Sequence, residues 1–400
     1  MLYTQGFTEC GPAEAGYDES RVDAVKRHFQ RLIDDGEIQC AAYCVSRRGK
    51  VFMHGALGRR SYQSGDDTPL SPDCVNYIAS ITKVFTAVAI MKLVEDGATR
   101  LDVPVREILP QFNTPPYNAI TLHHLLTHTS GLHADGGCFD NKYQTNYWDM
   151  IDKAHKLHDS AKDGNFDWIA AALGTIGCGL ASKPDTEWAY CSFGFAILGA
   201  VIEKLSGMPA EGFIEGQIIK PLGMKDTSFE ITGDMARRFI ISSLRKDIET
   251  RIDDALNGRK PKKDSPWDMI PDTGGGLNST VYDLIRFGNM MLSGGTLDGV
   301  RILGRKAVEK MTTLAISGKP DNCWKANNPD RGYGVGFDMR SGPAFTHSPG
   351  TFMHEGWGYS SLYIDPKEEM AAAWFVPFTR DEWFSRAQWS VQNVIWSGIK

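Results

Sequence analysis

At 400 residues the chain is long enough for two or three domains at ~150 residues each, and long enough to bury a stable core without disulfide or metal staples. A composition of 42% hydrophobic and 23% charged residues excludes a disordered protein. A formal net charge of −6 argues against a nucleic-acid binder, and the basic run Arg259–Lys263 meets Asp264 and reads as a solvated loop.

No stretch reaches the ~18 consecutive apolar residues of a membrane span, and Met1–Gly11 has no basic-then-apolar leader pattern. If the chain is complete, the cytoplasm is its expected location. Eight cysteines without a dense framework or a CxxC pair are expected to be small buried hydrophobes.

In chain order, Glu19–Asp34 carries Val22, Val25, Phe29 and Ile33 at helical spacing. Gln39–Arg47 and Lys50–Gly58 flank Arg48-Gly49 and predict a β-hairpin. Ser80–Gly97 reads as an apolar helix closed by Gly97. Residues 100 to 265 hold helical patterns and loops, with one clear helix over Phe193–Leu205. Strands are expected at Arg331–Met339, Gly356–Ile364 and Met370–Pro377, and a last amphipathic helix over Asp381–Gly398. Strands at both ends with a helical middle predict an α+β fold. An antiparallel sheet domain would come from residues 1–70 plus 270–400, flanked by the first and last helices, with an inserted helical domain at 71–269. The active site would sit at their seam.

GxSxG, HExxH, GxxxxGK[ST] and GxGxxG are all absent, which lowers the case for an α/β-hydrolase, a zincin, a P-loop NTPase or a dinucleotide enzyme. The strongest positive signal is Ser80-Ile81-Thr82-Lys83. Residues three apart share a helix face, so the Lys83 amine can reach the Ser80 hydroxyl. A serine in a first helical turn also has an N–H free to hold an oxyanion. Burial would keep the lysine neutral enough to act as a base. SxxK recurs at Ser243–Lys246 and Ser397–Lys400, but only Ser80 opens an apolar helix. Tyr190-Cys191-Ser192 precedes the Phe193 helix; Tyr190 can shuttle protons, although a half-buried aromatic beside a Ser192 N-cap is the plainer reading. His354-Glu355-Gly356-Trp357 leads into a strand, where a glycine permits close approach of a substrate backbone.

Together, Ser80-x-x-Lys83, Tyr190-x-Ser192 and His354-x-Gly356, in that order, resemble the serine β-lactamase and penicillin-binding-protein superfamily. The similarity is to the branch of class C β-lactamases, D-aminopeptidases, DD-peptidases and esterases. Leu125–Leu132, Pro221–Met224, Gly274–Leu277 and Gly332–Gly336 match its recurring phrases, and the resemblance spans about residues 15 to 398. It implies Ser80 as the acylated nucleophile, Lys83 as proton acceptor and Tyr190 as the partner base that protonates the leaving group. The N–H groups of Ser80 and Trp357 would form the oxyanion hole, each typically worth ~3–4 kcal/mol. Ser192, His354 and Gly356 would bind substrate. Ser192 stands where many members have Asn, and His354 where the best-known β-lactamases have Lys, which suits a penicillin carboxylate less well.

The reading is a serine hydrolase acting through an acyl-enzyme on a small ester, amide or short peptide. No cofactor or metal is expected, since His124, His128 and His133 lack a carboxylate at ligand spacing. Neither a nucleic-acid nor a membrane partner is expected. Alternatives are an acyltransferase, a DD-peptidase or weak β-lactamase, and a non-catalytic ligand-binding module. His133–Trp168, with Phe139, Tyr143, Tyr147, Trp148, Phe166 and Trp168, and Ala236–Trp267 are the expected pocket walls.

Overall fold

The computed structural model describes residues 2–135, 147–157, 166–174, 179–243, 245–259, 266–321, 323, 331–357, 360–379 and 386–400. Its centre is a six-stranded antiparallel sheet. The strands are β1 (Tyr3–Gln5), β2 (Cys40–Arg47), β3 (Lys50–Gly58), β4 (Phe352–Gly356), β5 (Ser360–Asp365) and β6 (Met370–Phe375), in the spatial order β1-β3-β2-β6-β5-β4. The β2–β3 turn forms because Arg48 and Gly49 both take positive φ, 52° and 78°, the twist that tight hairpins require. At the sheet centre β2 pairs with β6 from Arg47↔Met370 to Ala42↔Phe375.

Every residue of β2 is buried, because both faces of the sheet are covered. Ala41, Tyr43 and Val45 face a core shared with α1 (Glu19–Asp34) and the last helix, Arg386–Trp396. Cys40, Ala42 and Cys44 face the larger core, to which α2 (Thr82–Glu95), α3 (Ser192–Ser206) and α4 (Val281–Leu292) contribute. The strands' period-two alternation thus feeds two cores at once. Helix α2 buries residues on all sides, as a helix apolar all round must. The last helix, α5, spans Arg386–Trp396; the earlier part of the expected Asp381 start lies outside the described residues.

Two expectations about the strands fail. Arg331–Met339 forms only isolated bridges, Ile316↔Tyr333, Tyr333↔Asp338 and Asp338↔Met353. Gly336 turns the segment at φ 81°, and Arg331 and Asp338 are bound sideways in ion pairs. His354 belongs to the edge strand β4 rather than to a loop before a strand.

Among the described residues no single helix is long and apolar enough to cross a membrane. Cys10, Cys40, Cys44, Cys74 and Cys191 are free thiols, but Cys323 is disulfide-bonded, so it is not the simple buried hydrophobe expected.

Candidate active site

Ser80 sits in a 3₁₀ turn, Ala79–Ile81, that runs directly into α2. Ala79 holds φ 47°, a conformation that L-residues with a side chain adopt at a cost and that clusters at functional sites. The turn is pinned from three directions. The Ile78 N–H donates to the Leu277 carbonyl at 2.9 Å, and the Ser360 hydroxyl donates to the Ile78 carbonyl at 3.0 Å. The Leu277 N–H donates to Thr82 Oγ1 at 3.1 Å. The Ser80 turn is therefore held between α2, β5 and the loop around residue 277.

Lys83, one helical turn on, is fully buried. Its Nζ lies 3.1 Å from Ser80 Oγ and donates to the Gly274 carbonyl at 2.6 Å. That carbonyl comes close because Gly199 leaves room for its loop: a Cβ on Gly199 would lie 2.5 Å from Pro271 Cβ and Thr273 Oγ1. Burial pulls the lysine down to about 8, against the opposing charges of Asp135, Cys191 and Asp272.

Tyr190 brings its ring to 4.9 Å from Lys83 Nζ, and its hydroxyl hydrogen-bonds the Ser80 side chain. Burial holds this phenol well above its usual range. His128 backs the ring at 4.3 Å between centroids. Its Nδ1 accepts from the Cys191 N–H at 3.1 Å, so Nε2 carries the proton of the neutral imidazole. Burial of the imidazole, with Lys83 nearby, keeps it far below its usual pKa. His124 instead closes a capping box on Thr121, and His133 packs against Tyr147. Among the described residues no cluster of three or more His, Cys, Asp or Glu side chains is placed to hold a metal.

Ser192 opens α3 and lines the cavity. Its hydroxyl is committed: Oγ donates to Asp135 Oδ2 at 2.6 Å, and its N–H to Oδ1 at 2.8 Å. Asp135 is the residue that sequence reasoning missed. It lies 57 residues upstream, just past the Leu125–Leu132 phrase, and nothing in local spacing announces it.

His354 is buried, with Nδ1 3.0 Å from the Glu355 carbonyl and Nε2 3.5 Å from the Tyr333 hydroxyl. It does not line the cavity. Burial, reinforced by Lys83, pushes it down to about 3, so it is neutral at ordinary pH. Behind it Arg340 pairs with Asp338 and Glu355, and Arg331 with Asp321 and Asp338. The Arg340 Nε contact to Asp338, at 2.8 Å, is an ion pair not aligned as a hydrogen bond. Gly356 sits where a Cβ would overlap the Ile78 carbonyl and the Ser360 hydroxyl. Trp357, 51% exposed, follows it at the cavity mouth.

The cavity, about 440 Å³, begins at Ser80 and has Tyr77, Trp148, Ile270, Pro271 and Trp357 among its apolar walls. Arg245 and Asp272 add opposite charges, with the Arg245 guanidinium stacked 4.0 Å over the Tyr77 ring. Of the aromatics expected in the wall, Trp148 is there, whereas Tyr147, Phe166 and Trp168 are core. Phe139 and Tyr143 lie outside the described residues.

A profile of the beta-lactamase family matches residues 25–389. The chain belongs to that family. The esterase EstB of Burkholderia gladioli is 32% identical over 219 residues, 52% of this chain and 51% of EstB. Penicillin-binding protein 4 of Amycolatopsis lactamdurans is 27% identical over 358 residues, 87% of this chain and 83% of the relative. Among solved structures, EstCE1, described as a hydrolase with promiscuous acyltransferase activity, superposes with a TM-score of 0.74 at 18% identity, covering 95% of this chain and 99% of that one. This member of the beta-lactamase family is a serine hydrolase, built on the same fold as penicillin-binding-protein homologues.

Proposed function

We propose that this protein is an esterase that works through an acyl-enzyme on Ser80. The observation that carries the reading is the buried Lys83 amine 3.1 Å from Ser80 Oγ, in a setting that holds it near neutrality, at about 8. In the neutral amine one N–H still meets the Gly274 carbonyl while the lone pair takes the Ser80 proton. Ser80 Oγ then bonds the substrate carbonyl carbon, whose oxygen receives the electron pair and is held by the N–H groups of Ser80 and Trp357. Tyr190, kept as a neutral phenol by burial, gives its proton to the departing alkoxide and recovers it from Lys83. Water attacks the ester carbonyl by the same relay, and Ser80 leaves with its proton restored.

The third motif favours neutral esters over substrates ending in a carboxylate. A neutral His354 and an Arg340 already bound to two carboxylates supply no positive charge there. Gly356 serves the substrate by letting β4 close on the nucleophile's turn, Ser192 borders the acyl site, and His354 supports the strand through Tyr333. A second reading, a D-amino-acid amidase, is favoured by one observation: the Asp272 carboxylate in the cavity wall would meet a substrate ammonium. The cytoplasmic location expected above sits poorly with the disulfide at Cys323, since disulfides persist in oxidising compartments; fractionation of expressing cells decides this.

The test is turnover of p-nitrophenyl butyrate, D-alanine p-nitroanilide and nitrocefin, with mass spectrometry of the trapped enzyme. The expected result is ester turnover above the other two and a butyryl adduct on Ser80 that Ser80→Ala abolishes. Full activity in Ser80→Ala would sink the mechanism.

A further inference from the structure

We infer that Asp135 is a positioning residue for the reaction, the anchor that fixes the Tyr190-x-Ser192 segment against Lys83. The inference rests on the proposed roles of Ser80, Lys83 and Tyr190. Three hydrogen bonds converge on Asp135: its own N–H donates to the Tyr190 carbonyl at 2.8 Å, and its two carboxylate oxygens receive the N–H and hydroxyl of Ser192 at 2.8 and 2.6 Å. Both ends of the motif are thus tied to one residue from a distant loop. The carboxylate also caps α3 at its positive end, where a helix start leaves N–H groups unpaired. Cys191, between the two, is held on its other side by His128. The segment that carries the phenol therefore has little freedom to swing away from Ser80.

The arrangement changes what Ser192 does. A hydroxyl has one proton to donate, and Ser192 spends it on Asp135 rather than on Lys83 or a substrate amide. The part that an amide side chain would play at this position is divided here between an inward serine and an acid that it grips.

Asp135 also acts through its charge. Lys83 is faced by Asp135 from this loop, by Asp272 and the Gly274 carbonyl from the loop before residue 277, and by Cys191 from the start of α3. The neutral imidazoles of His128 and His354, the Tyr190 phenol, the Phe195 ring and the Ser80 hydroxyl also lie around it. Asp135 is the first of the groups that favour the protonated amine against burial.

The experiment compares wild type, Asp135→Asn and Asp135→Ala for kcat, KM and the pH profile of kcat/KM on p-nitrophenyl butyrate, with thermal melts to establish folding. Asp135→Asn keeps the shape and removes the charge: its acid limb is expected to move to lower pH with part of kcat retained. Asp135→Ala loses the anchor as well, and kcat is expected to fall ~10–100-fold, the scale of a displaced catalytic group, with KM changing less. A folded Asp135→Asn with the wild-type pH profile and a folded Asp135→Ala with wild-type kcat would overturn the inference. Should Ala unfold, the Asn profile alone decides it. Ser80→Ala in parallel separates the two levels: its inactivity upholds the esterase reading even when Asp135 fails, and its full activity removes both.

Discussion

Gly356 and Ile78 meet backbone to backbone: any side chain at 356 would collide with the Ile78 carbonyl, two residues before Ser80. The edge strand β4 can close on the Ser80 turn only because that position has no Cβ.

Gly356→Ala is therefore expected to push β4 and Trp357 away from Ser80. The predicted loss is about hundredfold in kcat on a p-nitrophenyl ester, with secondary structure retained by circular dichroism. An alanine variant with unaltered kcat would show that the strand's closeness is incidental to the chemistry.

The second prediction concerns pH. In the proposed mechanism Lys83 must be neutral to accept the Ser80 proton, and it is protonated below about 8. Hence kcat/KM on a neutral ester should rise with pH and level off above about 8. Lys83→Arg, permanently charged, should lose activity by orders of magnitude at every pH. A flat profile from pH 6 to 9 in the wild type would contradict the assignment of the base.

A third prediction addresses the buried charges behind β4. Arg340 holds Asp338 and Glu355 together, and Glu355 also accepts from the Tyr363 hydroxyl at 2.7 Å. Removing one member leaves the others desolvated and underpaired. Arg340→Ala should cost ~3–5 kcal/mol in urea denaturation, much more than an exposed pair such as Arg100–Asp102, worth ~0–1 kcal/mol. A loss below ~1 kcal/mol would mean that the network relaxes freely.

Much of this was legible in the text of the chain. The hairpin of Gln39–Arg47 and Lys50–Gly58 announces itself through alternation and the Arg48-Gly49 turn, and the approach of Lys83 to Ser80 through helical spacing. What could not be read is long-range. Asp135 finds Ser192, and the Gly274 carbonyl finds Lys83, only after folding, and a main-chain carbonyl has no signature in a sequence. Arg331–Met339 looked like a strand because Tyr333, Val335 and Phe337 alternate, yet the intervening glycines and the sideways pull of Arg331 and Asp338 outweigh that pattern. His354 was expected to face substrate. Its ring instead rests against Tyr333 inside the protein.

The pairing of β2 with β6 carries a consequence for biosynthesis. Strands distant in the chain lie side by side at the middle of the sheet, and β5, which steadies the Ser80 turn through Ser360, is translated long after that turn. A ribosome-bound chain holding Ser80 and Lys83 still lacks the scaffold that orients them. The Ser80 turn is thus completed only after β5 has been made, and distant closures of this kind are slow and leave the β2 edge unpaired in the interval.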